Sequence, residues 1–128
     1  MSGEKNLAGV LAWTDLTVPD ARRVMEFYRE VAGWSVEEIE MSGYSDYAMK
    51  SPGGDVVAGI CHSRGTNSDI PPQWLVYITV DDLDRRVASC QELGGKILAG
   101  PRELGGGRFC VFSDPAGATA ALYELAKE

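Results

Sequence analysis

The sequence predicts an α+β fold of two β-α-β-β-β modules, which we expect to form a curved, mixed, mostly antiparallel sheet around a cleft with the helices outside. Two internal repeats indicate this. Residues 17–34 match residues 79–96 without a gap, 62 positions apart. The turn at 51–58 matches the turn at 114–121 at an offset of 63. In each copy a strand-like run leads into an acidic turn, an amphipathic helix and a glycine stop, so the repeated unit is structural.

The first module begins with a strand over Val10–Val18, which is rich in β-branched and aromatic residues. Asp20 is a suitable N-cap for a helix over 21–32, and Gly33 is a suitable left-handed stop. Four apolar residues at helical spacing predict the face that packs on the sheet: Val24, Phe27, Tyr28 and Val31. Three shorter runs separated by Ser-Gly and Pro-Gly-Gly turns complete an antiparallel meander: 35–40, 44–50 and 55–61.

The second module repeats this plan. Trp74–Val80 predicts its first strand, and Gly94-Gly95 the end of its helix. The predicted apolar stripe of that helix is Leu83, Val87, Cys90 and Leu93. Its remaining strands are expected at 97–98, 108–113 and 119–125.

A chain of 128 residues is long enough for one full core, so we expect a single domain over 1–128. Module one should cover about 8–61 and module two about 74–125. The segment 62–73 between them is polar and contains Pro71-Pro72, which is typical of a linker.

The bulk composition excludes several classes of function. The formal charge is −7, and the basic residues form no stripe, so nucleic acid is not expected as a partner. The beginning of the chain has the pattern of neither a secretory signal nor a membrane span. Cys61, Cys90 and Cys110 are odd in number and sit in apolar surroundings, which indicates reduced thiols and a cytoplasmic protein.

The paired modules resemble the vicinal oxygen chelate superfamily, which includes glyoxalase I, extradiol dioxygenases and bleomycin resistance proteins. The resemblance rests on the joints LTVPD and ITVDD, the helix ending ELGG and the turn FSDPAG, and it covers nearly everything from Ala12 to Glu124. Relatives of this size imply a homodimer.

In metal-dependent members, the resemblance implies His or Glu ligands on the first and last strands of each module. The four corresponding positions here are Trp13, Ala58, Leu75 and Ala121, with Gly59 replacing Ala58 if the register slips by one. None of these side chains can bind a divalent cation, so we expect no metal and no other cofactor. The lone His62, at a strand exit, is more typical of a surface or capping residue than of a ligand.

Strand alternation predicts which side chains line the cleft beside those four positions. The expected ligand-binding residues are Trp13, Val56, Ala58, Leu75, Thr119, Ala121 and Tyr123. This wall is largely apolar and aromatic, as in a pocket for a small hydrophobic molecule. Trp74 should point to the opposite face and pack against a helix or a second subunit.

Asp15 and Tyr77 are the candidate catalytic residues on this wall. A carboxylate on an apolar face could act as a general base, and the Tyr77 hydroxyl could donate to a ligand oxygen. The more common case for such a residue is that it lies in water at the cleft mouth or pairs with an arginine. Cys110 beside Arg108 could be a nucleophile, but a buried packing thiol is the more common case.

Our leading functional hypothesis is therefore a metal-independent member that binds a small hydrophobic or aromatic molecule in the cleft between the modules. One alternative is a metal-free isomerase, lyase or hydrolase that acts on a small carbonyl compound with Asp15 as its base. The other is a glyoxalase-like metalloenzyme with unexpected ligands.

Overall fold

A computed structural model describes residues 8–126 and divides into two compact units. The N-terminal unit is Trp13–Leu75, and the C-terminal unit consists of the described residues of Met1–Ala12 and Val76–Glu128. Both boundaries fall within the first strand of a module. The prediction of two β-α-β-β-β modules in an α+β fold is confirmed, while the single domain and the cleft between the modules stay predictions.

The first module has one helix packed on a four-stranded sheet. Its elements are β1 (Leu11–Val18), α1 (Ala21–Ala32), β2 (Ser35–Glu40), β3 (Ser45–Lys50) and β4 (Val56–His62). The strand order is β2-β3-β4-β1, with β1 parallel to β4 and the other pairs antiparallel. A short 3₁₀ turn at Gly65–Asn67 lies in the segment predicted as a linker.

The second module repeats this topology. Its elements are β5 (Leu75–Thr79), α2 (Leu83–Glu92), β6 (Lys96–Leu104), β7 (Gly107–Ser113) and β8 (Thr119–Glu124). The strand order is β5-β8-β7-β6, and again only the first and last strands, β5 and β8, run parallel. Neither α1 nor α2, the two α-helices of the described part of the chain, has the length and apolar character needed to cross a bilayer.

Helix α1 begins and ends as predicted. The Asp20 carboxylate accepts a hydrogen bond from the Arg23 amide at 3.2 Å, and Gly33 ends the helix with φ 71°. The predicted packing stripe was partly wrong, because Phe27 and Val31 are 57% and 66% exposed.

The buried positions of α1 are Ala21 and Met25, so the packing face lies further toward the start of the helix than predicted. Both pack against the sheet with Tyr47, Met49, Ala58 and Ile60. The prediction of the packing face relied on β-branched and aromatic residues, and an alanine and a methionine contribute little to such a pattern. The packing face of α1 was therefore assigned to the wrong residues.

Trp74 packs on the helix side of the N-terminal unit, as predicted. Its indole Nε1 donates to the Tyr28 hydroxyl at 3.0 Å, and its ring meets Trp34 edge to face with centroids 6.0 Å apart. These contacts satisfy the indole N–H in a partly buried aromatic cluster.

Helix α2 is capped by Asp82, whose side chain accepts from the Arg85 amide at 3.3 Å. Leu83 is fully buried against Cys110 and Leu122. Leu93 was wrongly placed in the packing stripe, because the helix ends at Glu92 and the side chain of Leu93 is 77% exposed.

Candidate functional site

Each sheet has one face that packs on its own helix and one that does not, which we call the distal face. In the N-terminal unit, Ala58 and Ile60 belong to the core beneath α1, so their neighbour Gly59 lies on the distal face. Asp15 is the partner of Gly59 in the parallel ladder of β1 and β4. Trp13, two residues before Asp15, shares that face.

The prediction that Ala58 lies beside Trp13 and Asp15 is wrong. Ala58 is 1% exposed and faces α1. Gly59, the alternative kept in the sequence analysis, occupies the distal position.

A β-bulge explains this error. Lys50 pairs with Val56 and Met49 pairs with Ala58, so Val57 is an extra residue in β4. The turn before β4 and the turn before β8 are 63 positions apart in the sequence, one more than the 62 positions that separate the two helices. The extra residue in β4 removes this difference, so that the residues after the bulge are again 62 positions from their repeat partners. Gly59 is therefore the repeat partner of Ala121, and Val56 shares the distal face with Lys50, to which it is paired.

Trp13 and Asp15 form a hydrogen-bonded pair on the distal face. The indole Nε1 of Trp13 donates to Asp15 Oδ2 at 3.2 Å, while Asp15 Oδ1 is buried. Trp13 remains 37% exposed. The absence of a side chain at Gly59 makes room for the pair, because a Cβ there would lie 3.2 Å from Trp13 Cζ2 and 3.3 Å from Asp15 Cβ.

Cys61 and Asp46 also lie on this face, where both Asp15 and Asp46 act on the Cys61 thiol, and neither residue is among those predicted for the site. Burial, followed by the charges of Asp15 and Asp46, raises the pKa of the Cys61 thiol to about 12. The thiol is therefore protonated near neutral pH. Asp46 is itself 8% exposed and accepts a hydrogen bond from the His62 amide at 2.8 Å. The sequence feature that could have indicated Asp46 is the presence of an aspartate within the apolar run of β3.

His62 is held by groups at the end of β4. Its Nδ1 lies 3.0 Å from the Ser45 carbonyl oxygen and 3.4 Å from Asp46 Oδ1. The imidazole also contacts the rings of Tyr44 and Tyr47. Within residues 8–126, no three His, Cys, Asp or Glu side chains form a group that could hold a metal ion.

The distal face of the C-terminal unit carries most of the residues predicted for the second module. The helix side is marked by Cys110 and Leu122 in the core beneath α2. Alternation therefore places Tyr77, Thr119, Ala121 and Tyr123 on the distal face, and Tyr77 is the ladder partner of Ala121.

These residues differ in accessibility. Tyr77 and Ala121 are buried, whereas Thr119 and Tyr123 are half-buried. The Tyr123 hydroxyl donates to the backbone carbonyl of Leu104 at 2.9 Å, which ties β8 to the end of β6. Leu75 belongs to the N-terminal unit, where it is fully buried and its carbonyl accepts from the Thr14 hydroxyl at 2.8 Å.

Phe109 and Arg102 also lie on this distal face and were missed from the sequence. Arg102 is the ladder partner of Phe109, and its guanidinium carbon lies 5.4 Å from the centroid of that ring. Tyr77 contacts the same ring at a centroid distance of 6.3 Å. The register of β6 carries two irregularities around Ala99, which prevented its placement by simple alternation.

Cys110 is a buried packing residue, the more common case in the sequence analysis. Its side chain lies in the core beneath α2, and burial raises the pKa of its thiol to about 11. Arg108 instead holds Asp84, with 2.9 Å between Arg108 Nη2 and Asp84 Oδ1. Cys110 therefore lacks the activating environment that a thiolate nucleophile requires.

A family model described as "Glyoxalase/Bleomycin resistance protein/Dioxygenase superfamily" matches residues 10–122. The chain is similar to the anthracycline biosynthesis protein DnrV of Streptomyces peucetius, with 32% identity over 90% of this chain and 46% of that protein. It is also similar to the putative glyoxylase CFP32 of Mycobacterium bovis, with 31% identity over 96% of this chain and 47% of that protein. The chain thus spans about half the length of these curated relatives.

Two solved structures share the fold. One is methylmalonyl-CoA epimerase from Mycobacterium tuberculosis, with a TM-score of 0.54 and 19% identity over 97% of this chain and 93% of that chain. The other is a glyoxalase/bleomycin resistance protein/dioxygenase superfamily member from Vibrio splendidus, with a TM-score of 0.53 and 14% identity over 88% of this chain and 96% of that chain. At these identities, the likeness concerns the fold alone.

Proposed function

This chain belongs to the glyoxalase/bleomycin resistance protein/dioxygenase superfamily, and from that membership we propose that it binds a small planar aromatic molecule without a metal ion. The proposed stacking surface is the indole of Trp13 on the distal face of the N-terminal unit. For the C-terminal unit taken by itself, we propose that Thr119, Ala121 and Tyr123 line a separate small-molecule surface on its distal face.

The observation that carries the proposal is the setting of Trp13. A large aromatic side chain that is 37% exposed on a sheet face offers apolar area to a ligand. Its hydrogen bond to Asp15 fixes the ring plane, so less side-chain entropy is lost on binding. Gly59 beneath it leaves the ring close to the backbone of β4.

The donor set supports a site without metal. The metal-dependent pattern of the family needs His or Glu at four positions, which are occupied here by Trp13, Gly59, Leu75 and Ala121. None of these four residues has a side chain that binds a divalent cation. The relatives named for anthracycline biosynthesis favour an aromatic ligand, because anthracyclines contain a planar fused-ring system. Since the chain covers about half of those relatives, we carry over only this ligand chemistry.

A fluorescence titration with the uncharged probe anthraquinone-2-carboxamide tests the proposal. Stacking on the indole should quench Trp13 emission, and Trp13→Ala should weaken binding roughly tenfold by removing a stacking contact of about 1 kcal/mol and its apolar area. Trp34→Phe is the matched control, since Trp34 packs on the helix side. Failure of the wild-type protein to bind this probe in fluorescence and calorimetry would overturn the proposal.

We also propose that the protein is a homodimer, as its family membership suggests. The exposed side chains of Phe27 and Val31 give α1 an apolar outer surface that a second copy could cover. Light scattering after size exclusion should give twice the monomer mass. A monomer at tens of micromolar would exclude this assembly.

A second candidate function is a metal-free enzyme with Asp15 as the general base. The observation that favours it is the carboxylate itself, which has one buried oxygen and one oxygen oriented by Trp13. Asp15→Asn separates the two functions, since it should leave probe binding within a few-fold while abolishing turnover of a small carbonyl substrate.

A further inference from the structure

The helix side of the N-terminal unit has a groove between α1 and β2. Its volume is about 290 Å³, just below the roughly 300–1,000 Å³ that is typical of small-molecule sites. All of its lining residues belong to this one unit: Arg22, Met25, Glu26, Arg29, Val36, Glu38 and Tyr47. The size suits a molecule no larger than an amino acid.

Tyr47 forms the floor of the groove and offers it a hydroxyl group. The residue is 5% exposed and packs with Met25 in the core beneath α1. Its hydroxyl makes no hydrogen bond with any residue in the part of the chain that the structure describes. Burial, followed by the charge of Glu38, raises the pKa of Tyr47, so the hydroxyl keeps its proton and is a donor. A buried tyrosine hydroxyl normally has a hydrogen-bond partner, and a ligand in the groove can supply one.

The walls of the groove carry charges of both signs. Arg22, Glu26 and Arg29 are at positions i, i+4 and i+7 of α1, so they lie on one face of that helix. Arg22 Nε lies 3.5 Å from Glu26 Oε1. On the other wall, Glu38 of β2 is the ladder partner of Tyr47, which places the two side chains next to each other on the helix side of the sheet.

Glu38 and Arg29 are not used in ion pairs. Within the described residues, neither forms a salt bridge, whereas Arg22 and Glu26 compensate each other. Glu37, the neighbour of Glu38 on the opposite face of β2, lies 2.7 Å from Lys50 Nζ. The groove therefore has a carboxylate on its strand wall, a guanidinium on its helix wall and a hydroxyl donor on its floor.

We infer that this groove is a second small-molecule site of the N-terminal unit, and that it binds a zwitterion of the α-amino acid type with an aliphatic side chain. The ammonium group of the ligand faces Glu38. Its carboxylate accepts from the Tyr47 hydroxyl and faces Arg29, and its side chain contacts Val36 and Met25. A ligand with a single charge leaves one of the two charged walls uncompensated, which disfavours it.

This groove is separate from the proposed stacking surface. Val36 and Tyr47 pack in the core beneath α1, whereas Trp13 lies on the distal face of the same sheet. The two sites should bind independently, so Trp13→Ala should leave amino acid binding unchanged. Either proposal can therefore fail while the other stands.

The test is an NMR titration of the backbone amides at pH 7 with three probes that share an isobutyl group. L-Leucine carries both charges, 4-methylpentanoate lacks the amino group and isoamylamine lacks the carboxylate. L-Leucine at up to about 10 mM should shift the amide signals around the groove and bind about five- to tenfold more tightly than either other probe. Absence of these shifts, or equal binding of the three probes, would overturn the inference.

Tyr47→Phe removes only the hydroxyl group. This variant should bind L-leucine and 4-methylpentanoate about three- to fivefold more weakly and isoamylamine as well as before, because the hydroxyl donates to the carboxylate. Its stability should change little, since no hydrogen bond within the protein is lost. Equal weakening of all three probes would contradict the role of the hydroxyl.

The two charged walls are tested separately. Glu38→Gln should weaken L-leucine and isoamylamine about fivefold and spare 4-methylpentanoate, while Arg29→Gln should weaken L-leucine and 4-methylpentanoate and spare isoamylamine. Both positions are exposed, so these variants also decide the matter if Tyr47→Phe fails to fold. Glu37→Gln and Arg23→Gln are the matched controls outside the groove and should change nothing. Equal effects of the controls would indicate general surface charge and overturn the inference.

Discussion

Gly59 lies directly opposite Asp15 in the parallel pairing of β4 with β1. A Cβ atom at position 59 would be 3.3 Å from Asp15 Cβ and 3.2 Å from Trp13 Cζ2, which is tighter than ordinary van der Waals contact. The glycine is therefore needed for the Trp13–Asp15 hydrogen bond in its present geometry. The bulge at Val57 brings this glycine, and not Ala58, to that position.

Gly59→Ala should move the indole of Trp13 by a few tenths of an ångström and weaken its hydrogen bond to Asp15. We expect a shift in Trp emission and a loss of affinity for an aromatic probe of roughly three- to tenfold, with a cost in stability of about 1 kcal/mol from overpacking. Gly59→Val should cost more, about 1–3 kcal/mol. Tryptophan fluorescence and urea denaturation provide the measurements.

Gly53→Ala is the control for that substitution. Gly53 lies in the turn before β4, and its nearest atom to an added Cβ is Ser51 Oγ at 3.9 Å. The same chemical change there should leave emission and probe affinity unchanged. Equal effects of the two substitutions would contradict the close contact at Gly59.

Ala58→Leu should destabilise the protein without altering the distal face. Ala58 is packed beneath α1 with Met25 and Ile60, so a larger side chain would overfill the core at a cost of about 1–3 kcal/mol. Probe affinity of the folded fraction should stay within a factor of two, because the substitution points away from Trp13. A large loss of affinity with unchanged stability would instead place Ala58 on the distal face, as first predicted.

Local signals in the sequence were enough to predict the modules. Asp20 and Gly33 have the side-chain and backbone properties that begin and end a helix, and those properties depend on few neighbours. The outer positions Phe27 and Val31 could not be assigned correctly, since apolar periodicity does not reveal which apolar residues a partner element covers.

The candidate site was less predictable, because it depends on register. One extra residue, Val57, reverses the alternation of β4 between Val56 and Ala58, and nothing in the local sequence marks it as a bulge. Irregular pairing of β6 likewise hid the partnership of Arg102 with Phe109. In module two, Tyr77 and Ala121 share one face as alternation predicts, because β5 and β8 pair without irregularity.

Cys61 should resist alkylation. With a thiol pKa of about 12, roughly one molecule in ten thousand carries the thiolate at pH 8, and reaction with iodoacetamide should be roughly a thousandfold slower than for free cysteine. Asp15→Asn should speed the reaction by removing a nearby charge, although burial, the largest cause of the raised pKa, remains. Peptide mapping by mass spectrometry would report each site, and rapid labelling of Cys61 in folded protein would contradict the prediction.

The buried thiols should also make the protein less stable in alkali. Burial raises the pKa of Cys61 to about 12 and that of Cys110 to about 11, from an ordinary value of 9.0. Above pH 9 the unfolded chain therefore binds fewer protons than the native state, so the free energy of unfolding falls as pH rises. Below pH 9 the contribution is fully present, and for Cys110 it is lost between about pH 9 and 11.

Each thiol should add about 1.4 kcal/mol per pH unit to that slope once the unfolded thiol is ionised. Other groups, such as Tyr47, whose pKa is raised by burial, add to the slope in the same direction. The informative quantity is therefore the difference in slope between the wild type and Cys110→Ala, measured by urea denaturation from pH 8 to 10.5. The variant should lose less stability over this range even though its cavity lowers stability at every pH; parallel curves would show that the Cys110 thiol ionises equally in both states.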